Sequence, residues 1–148
     1  MSLDVRDVLA PGAPGAPGQT RLLLARDVVF HSPVADYGGR DDVAHLFAKI
    51  GQCLSGVEPL REFSGPGADG EGREGGEGEK RGQEHHSVTT FTCSVGEESA
   101  AYGVFVQQVD AQGQLTEATL LLRPLGALKA AVSQMREALS ADPLPSRR

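Results

Sequence analysis

The sequence predicts an α+β fold in which an antiparallel sheet, bent and covered, closes over helices. Three observations predict it. Runs of period-two apolar residues follow one another between Ser87 and Arg123, each ended by a polar or glycine-containing break. Behind them, Leu125, Leu128, Val132, Met135 and Leu139 recur at three- and four-residue intervals, which is one apolar stripe of a helix. Ahead of them, Val43, Leu46, Phe47, Ile50 and Leu54 form a second helical stripe.

Taken in order, Ser2–Leu9 reads as a short helix with Ser2 as its N-cap. Residues 10–18 repeat Ala-Pro-Gly three times, too few for a collagen-like helix, and read as a linker. Gln19–Ala25 reads as a second short helix leading into a strand, Val28–His31, which Ser32-Pro33 closes. Asp36–Arg40 reads as a loop with paired glycines. Asp41 or Asp42 caps the helix that follows, and Gly56 is its expected stop.

Val57–Phe63 reads as a further strand, which Pro59 makes either an edge strand or a late-starting one. Residues 64–84 are rich in glycine and charge and nearly free of apolar side chains, so they are expected to be a disordered excursion between strands. The meander then comprises Ser87–Val95, Ala100–Val109 and Leu115–Arg123, with turns at Gly96–Ser99 and Asp110–Gly113. In the run Leu120-Leu121-Leu122, alternation sends Leu121 to one face and its neighbours to the other, so both faces need cover. Helices cover one side, and a second copy of the chain is expected on the other. Residues 140–148 are expected to form a flexible tail, and the whole chain one domain.

A net charge of −6 argues against a nucleic-acid partner. No apolar run is long enough to cross a membrane. The N-terminus lacks the basic and apolar regions of a secretory signal, so Cys53 and Cys93 are expected as reduced core thiols in a cytoplasmic protein.

Three segments occur in a telling order. They are Asp27-Val28-Val29-Phe30-His31-Ser32-Pro33, then Gly39-Arg40-Asp41-Asp42-Val43, then Leu122-Arg123-Pro124-Leu125-Gly126-Ala127-Leu128. Together they resemble the SnoaL-like branch of the nuclear transport factor 2-like (NTF2-like) superfamily over roughly residues 19–139. The resemblance implies a cone, with a curved antiparallel sheet wrapped around N-terminal helices, a C-terminal helix, and a pocket at the open end. It also implies dimers, and a range of activities from ketosteroid isomerases and polyketide cyclases to dehydratases. The acidic base that such cyclases carry in their late strands has no aspartate counterpart in Leu115–Leu122.

If the chain is an acid–base enzyme, the groups to carry it are His31, Asp36, Tyr37 and Glu117. Glu117 qualifies if it faces the cavity, and His31 if it stands at the pocket mouth. Phe30, Phe47, Phe63, Tyr102 and Arg123 are the expected pocket residues. Arg123 alternatively pins the last helix or meets an anionic ligand. His85 and His86 point to opposite faces of a strand and cannot share a metal ion, so no metal is expected. Ser32 lacks the nucleophile elbow, Cys53 sits in a helical stripe, and no cofactor is implied. The expected function is binding of a small apolar molecule in the cone. Acid–base catalysis (isomerase, cyclase or dehydratase) and a non-catalytic dimeric accessory module are the alternatives.

Overall fold

A computed structural model describes residues 3–9, 16–66, 84–96 and 99–147, with the side chains of 16–19 and 66 excepted. The elements run α1 (Val5–Leu9), α2 (Ala16–Leu23), β1 (Leu24–His31), β2 (Asp36–Gly38), α3 (Arg40–Cys53), β3 (Leu54–Pro66), β4 (His85–Val95), β5 (Ser99–Val109), β6 (Leu115–Arg123) and α4 (Leu125–Ala141), closed by a 3-10 turn, Pro145–Arg147. The six strands form one curved, unclosed sheet in the order β2-β1-β6-β5-β4-β3, and the architecture is α+β. One pairing departs from the antiparallel expectation. β1 lies parallel to β6, with His31 opposite Thr119.

The meander forms as its alternation predicts, because each strand presents one apolar set to the helices. Phe91, Cys93 and Val95 of β4, Ala101, Phe105 and Val109 of β5, and Ala118 and Leu120 of β6 are buried on the inner face. α3 and α4 pack against that face. Phe47 of α3 meets Phe30 edge-on at 4.9 Å between ring centroids and Phe105 at 6.4 Å, so an aromatic pillar joins helix to sheet. Gly103 of β5 lies opposite Phe91 in the register of β4 and β5, and a Cβ there would stand 2.3 Å from the Phe91 ring. Glycine at this point lets the ring lie across its neighbour strand.

α1 has only five residues, too short to persist alone. Two devices hold it. Val5, Val8 and Leu9 are buried, and the buried Gln107 amide both accepts from Leu3 N–H and donates to Leu3 C=O, each at 2.9 Å. Asp4, whose carboxylate accepts the Arg6 N–H, caps the helix. The expected cap, Ser2, lies outside the described residues.

Several boundaries differ from the sequence reading. Ala16–Gly18 belong to α2, so the Ala-Pro-Gly repeat runs into a helix, while residues 10–15 lie outside the described residues. Asp36–Gly38 is a short strand paired with β1. α3 begins at Arg40, which places Asp41 and Asp42 inside its first turn, where carboxylates suit the helix dipole, instead of at the cap. Gly56 does not stop the helix. It sits with φ 61° in a bulge of β3, a strand of 13 residues on the sheet edge, the position in a sheet that tolerates a proline such as Pro59. The insert expected over 64–84 begins later, since Ser64–Pro66 still pair with His85–Ser87, and residues 67–83 lie outside the described residues.

The tail is docked through residue 147, against the expectation of a flexible end. Leu144 is buried, Asp142 pairs with Lys49 at 2.9 Å, and Ser146 donates through N–H and Oγ to the Asp42 carboxylate at 3.0 and 2.5 Å.

Candidate functional site

A cavity of about 460 Å³ lies between the inner face of β1 and β6, α3 and α4, within the usual size range of small-molecule sites. Its sheet wall is Phe30, Leu120 and Leu122, which alternation turns inward together. Leu46, Ile50 and Cys53 of α3 form a second wall. The third is α4, whose stripe of Leu128, Val132, Met135 and Leu139 faces a hollow, with Ala131 beside it. The docked tail adds Pro143, Leu144 and Arg147, and the loop after β1 adds Ser32, Pro33 and Val34.

Polar groups on this wall are few. Tyr37 reaches it from β2, and Ser140, Arg136 and Arg147 stand at the α4 and tail side. Ser32 Oγ is spent locally, accepting from Val34 and Ala35 N–H and donating to Ala35 C=O. Among the described residues the wall contains no Asp, Glu, His or Lys. Burial raises the Cys53 thiol above its ordinary range, which keeps it neutral and poorly nucleophilic. Cys93, also buried, is pushed up to about 11.

Three of the four expected acid–base residues, His31, Asp36 and Glu117, come together, but on the other side of the sheet, while Tyr37 lines the cavity. β1 alternates so that Phe30 is buried inward and His31 points outward, and β6 likewise sends Ala118 and Leu120 in and Glu117 out. Asp36 is the cross-strand neighbour of His31 in β2. The imidazole is therefore clamped, with Nδ1 at 2.8 Å from Asp36 Oδ1 and Nε2 at 2.8 Å from Glu117 Oε2. Hydrogen bonding to Asp36 first, and to Glu117 next, raises the His31 pKa above its ordinary value. With both nitrogens engaged and no cavity residue among its partners, this ring has no free site to take a proton from a pocket ligand.

Of the expected pocket residues, Phe30 alone lines the cavity. Phe47 is sealed in the core between Phe30 and Phe105. Phe63 lies on the edge strand and is 58% exposed. Tyr102 and Arg123 are register partners on the outer face, since their neighbours Ala101, Gly103 and Leu122 take the inner one. Arg123 carries no ion pair among the described residues, so the expected pinning of α4 is not made. The residues that sequence reasoning missed are Arg136, Ser140 and Arg147. The spacing 132–136–140 signals the first two, because i, i+4 steps keep them on the rim of the apolar stripe.

No protein-family model and no curated protein matches the chain. Solved structures do. An uncharacterized bacterial protein with a cystatin-like fold from Silicibacter pomeroyi is 26% identical, with a TM-score of 0.70 over 93% of this chain and 84% of its own. A steroid delta-isomerase from Pseudomonas aeruginosa is 24% identical, with a TM-score of 0.67 over 84% of this chain and 80% of its own. An NTF2-like protein of unknown function from Exiguobacterium is 10% identical, with a TM-score of 0.54 over 79% of this chain and 92% of its own. The chain has the NTF2-like fold. In this NTF2-like chain the cavity occupies the hollow of the curved sheet, while the His31 cluster stands outside it. Among the described residues no helix is long and apolar enough to cross a membrane, and no cluster of side chains could hold a metal ion.

Proposed function

We propose that this protein binds a small apolar molecule in the hollow of its NTF2-like sheet, as a member of the SnoaL-like branch. The observation that carries the reading is the composition of the cavity wall. Phe30, Leu46, Ile50, Leu120, Leu122, Met135 and Leu139 offer an apolar ligand about 460 Å³, and no carboxylate or imidazole among the described residues interrupts them. The three short motifs support the branch, and the likeness to a steroid delta-isomerase supports the scale of the ligand. An isomerase, cyclase or dehydratase needs a proton acceptor against its substrate. His31, Asp36 and Glu117 satisfy one another outside the cavity, which leaves Tyr37 alone of the four on its wall.

The same proposal includes a cytoplasmic homodimer joined through the outer sheet face. There Tyr102, Val29 and Leu121 are 36%, 37% and 52% exposed, and no helix of the described residues covers them. A second copy supplies the cover that the Leu120–Leu122 run calls for.

Titration with the neutral dye N-phenylnaphthylamine tests the pocket. Saturable fluorescence enhancement is expected for the native protein, and its loss is expected in Val132→Trp, which fills the hollow from α4, at an unchanged melting temperature. A native protein that gives no saturable signal refutes the reading.

A further inference from the structure

The charge of the cavity rim runs against that of the molecule. The chain carries 20 acidic and 14 basic residues, yet the charged groups on the cavity wall are Arg136 and Arg147. Neither has a carboxylate partner among the described residues. Elsewhere three basic side chains are paired, Arg6 with Asp4 at 3.0 Å, Arg21 with Asp41 at 2.6 Å and Lys49 with Asp142 at 2.9 Å, so what sets Arg136 and Arg147 apart is their place on a wall without acids.

Nor is Arg147 a stray end. Burial of Leu144 and the two hydrogen bonds from Ser146 to Asp42 fix the turn that carries it to the cavity. Guanidinium groups donate only, in a fork that fits a carboxylate. The hydroxyls of Tyr37 and Ser140 also have no partner among the described residues and can donate alongside. An uncharged apolar ligand would leave all four donors to water.

We propose that the ligand is an amphipathic monocarboxylate, its apolar body in the hollow and its carboxylate at the rim on Arg136 and Arg147. This rests on the apolar-binding reading and names the chemical class that the site takes. Both guanidiniums are exposed, so the attraction is felt across water and weakens as salt screens it.

The experiment displaces N-phenylnaphthylamine from the full chain with octanoate, octan-1-ol or octyltrimethylammonium, which share a body and differ in head group. Octanoate is expected to displace the dye at about one-tenth the concentration of octanol. The cation is expected to be weakest, and the margin between acid and alcohol to narrow in high salt. In Arg136→Gln/Arg147→Gln the margin should vanish while octanol displaces as before, and Arg136→Lys should keep part of it.

The salt series on the native protein needs no variant and stands even if the double variant folds poorly. Equal displacement by octanoate and octanol in the native protein, or a margin untouched by salt, overturns the carboxylate proposal and leaves the apolar pocket intact. Dye that binds but is displaced better by the cation overturns it too. Dye that never binds sinks the pocket reading and this inference together.

Discussion

Substituting Gly103 with alanine adds one methyl group at the most crowded point of the sheet. The new Cβ would stand 2.3, 2.7 and 2.8 Å from Cζ, Cε1 and Cε2 of Phe91, a fully buried residue. Overpacking of this kind costs about 1–3 kcal/mol. Replacing glycine also restricts the unfolded chain, which offsets about 0.4–1 kcal/mol. The net loss is about 1–2 kcal/mol, or roughly 3–8 °C in Tm for a chain of this size. Urea unfolding followed by far-ultraviolet circular dichroism, at fixed protein concentration, measures it. The double variant Gly103→Ala/Phe91→Leu locates the cause. Leucine lacks the ring atoms that clash, so the two losses should fall short of additive by about 1 kcal/mol. A Gly103→Ala midpoint at or above that of the native protein, or strict additivity, would refute the reasoning.

Other expectations are as specific. Asp36 and Glu117 raise the His31 pKa in the folded state, so the clamp's contribution is fully present below about pH 6.5, the unfolded value, and is lost as pH rises through the higher folded value. Melting temperature measured from pH 5.5 to 8.5 should therefore fall more steeply in the native protein than in His31→Asn, and superimposable profiles would contradict the clamp. Leu121→Asp puts a charge on a half-exposed outer position, so analytical ultracentrifugation should find monomers whose unfolding stays within about 1 kcal/mol of the native chain. Dimers of unchanged affinity would remove the outer face as the interface. Leu144→Ala should cost about 2 kcal/mol or more, because the side chain is buried between the tail and the cavity, and a silent substitution would mean the tail is not docked.

Much of the fold is legible in the residues, because alternation and helical stripes report which side of an element is covered. In β5, alternation alone puts Phe105 on the face opposite Tyr102, Val104 and Val106, and Phe105 is the buried one. Such reasoning fails where single residues carry two meanings. Gly56 signals an ending in isolation, yet within β3 it marks a bulge, whereas the edge position read from Pro59 is found. The site was harder to see for a related reason. The α4 stripe reads the same whether it meets a solid core or a hollow, since both desolvate Leu128, Val132 and Met135. Side-chain size also misleads. Phe63 and Tyr102 suggest a lining by bulk, but strand position puts them outside. The parity of Phe30 and His31 was available from the start, and it already separates the imidazole from the pocket. What no local pattern states is that Glu117, 86 residues away, lands on that same ring, because only the β1–β6 pairing brings it there.

That pairing has a consequence for how the protein is made. The earliest strand of the sheet finds its central neighbour in the latest, with Phe30 beside Ala118 and His31 beside Thr119. During synthesis β1 and β2 leave the ribosome with an open edge that nothing yet translated can occupy, and β3, β4 and β5 assemble as a separate ribbon. Emergence of β6 then stitches the two pieces together in one late, long-range step, so rapid folding from the N-terminal end is closed to this topology.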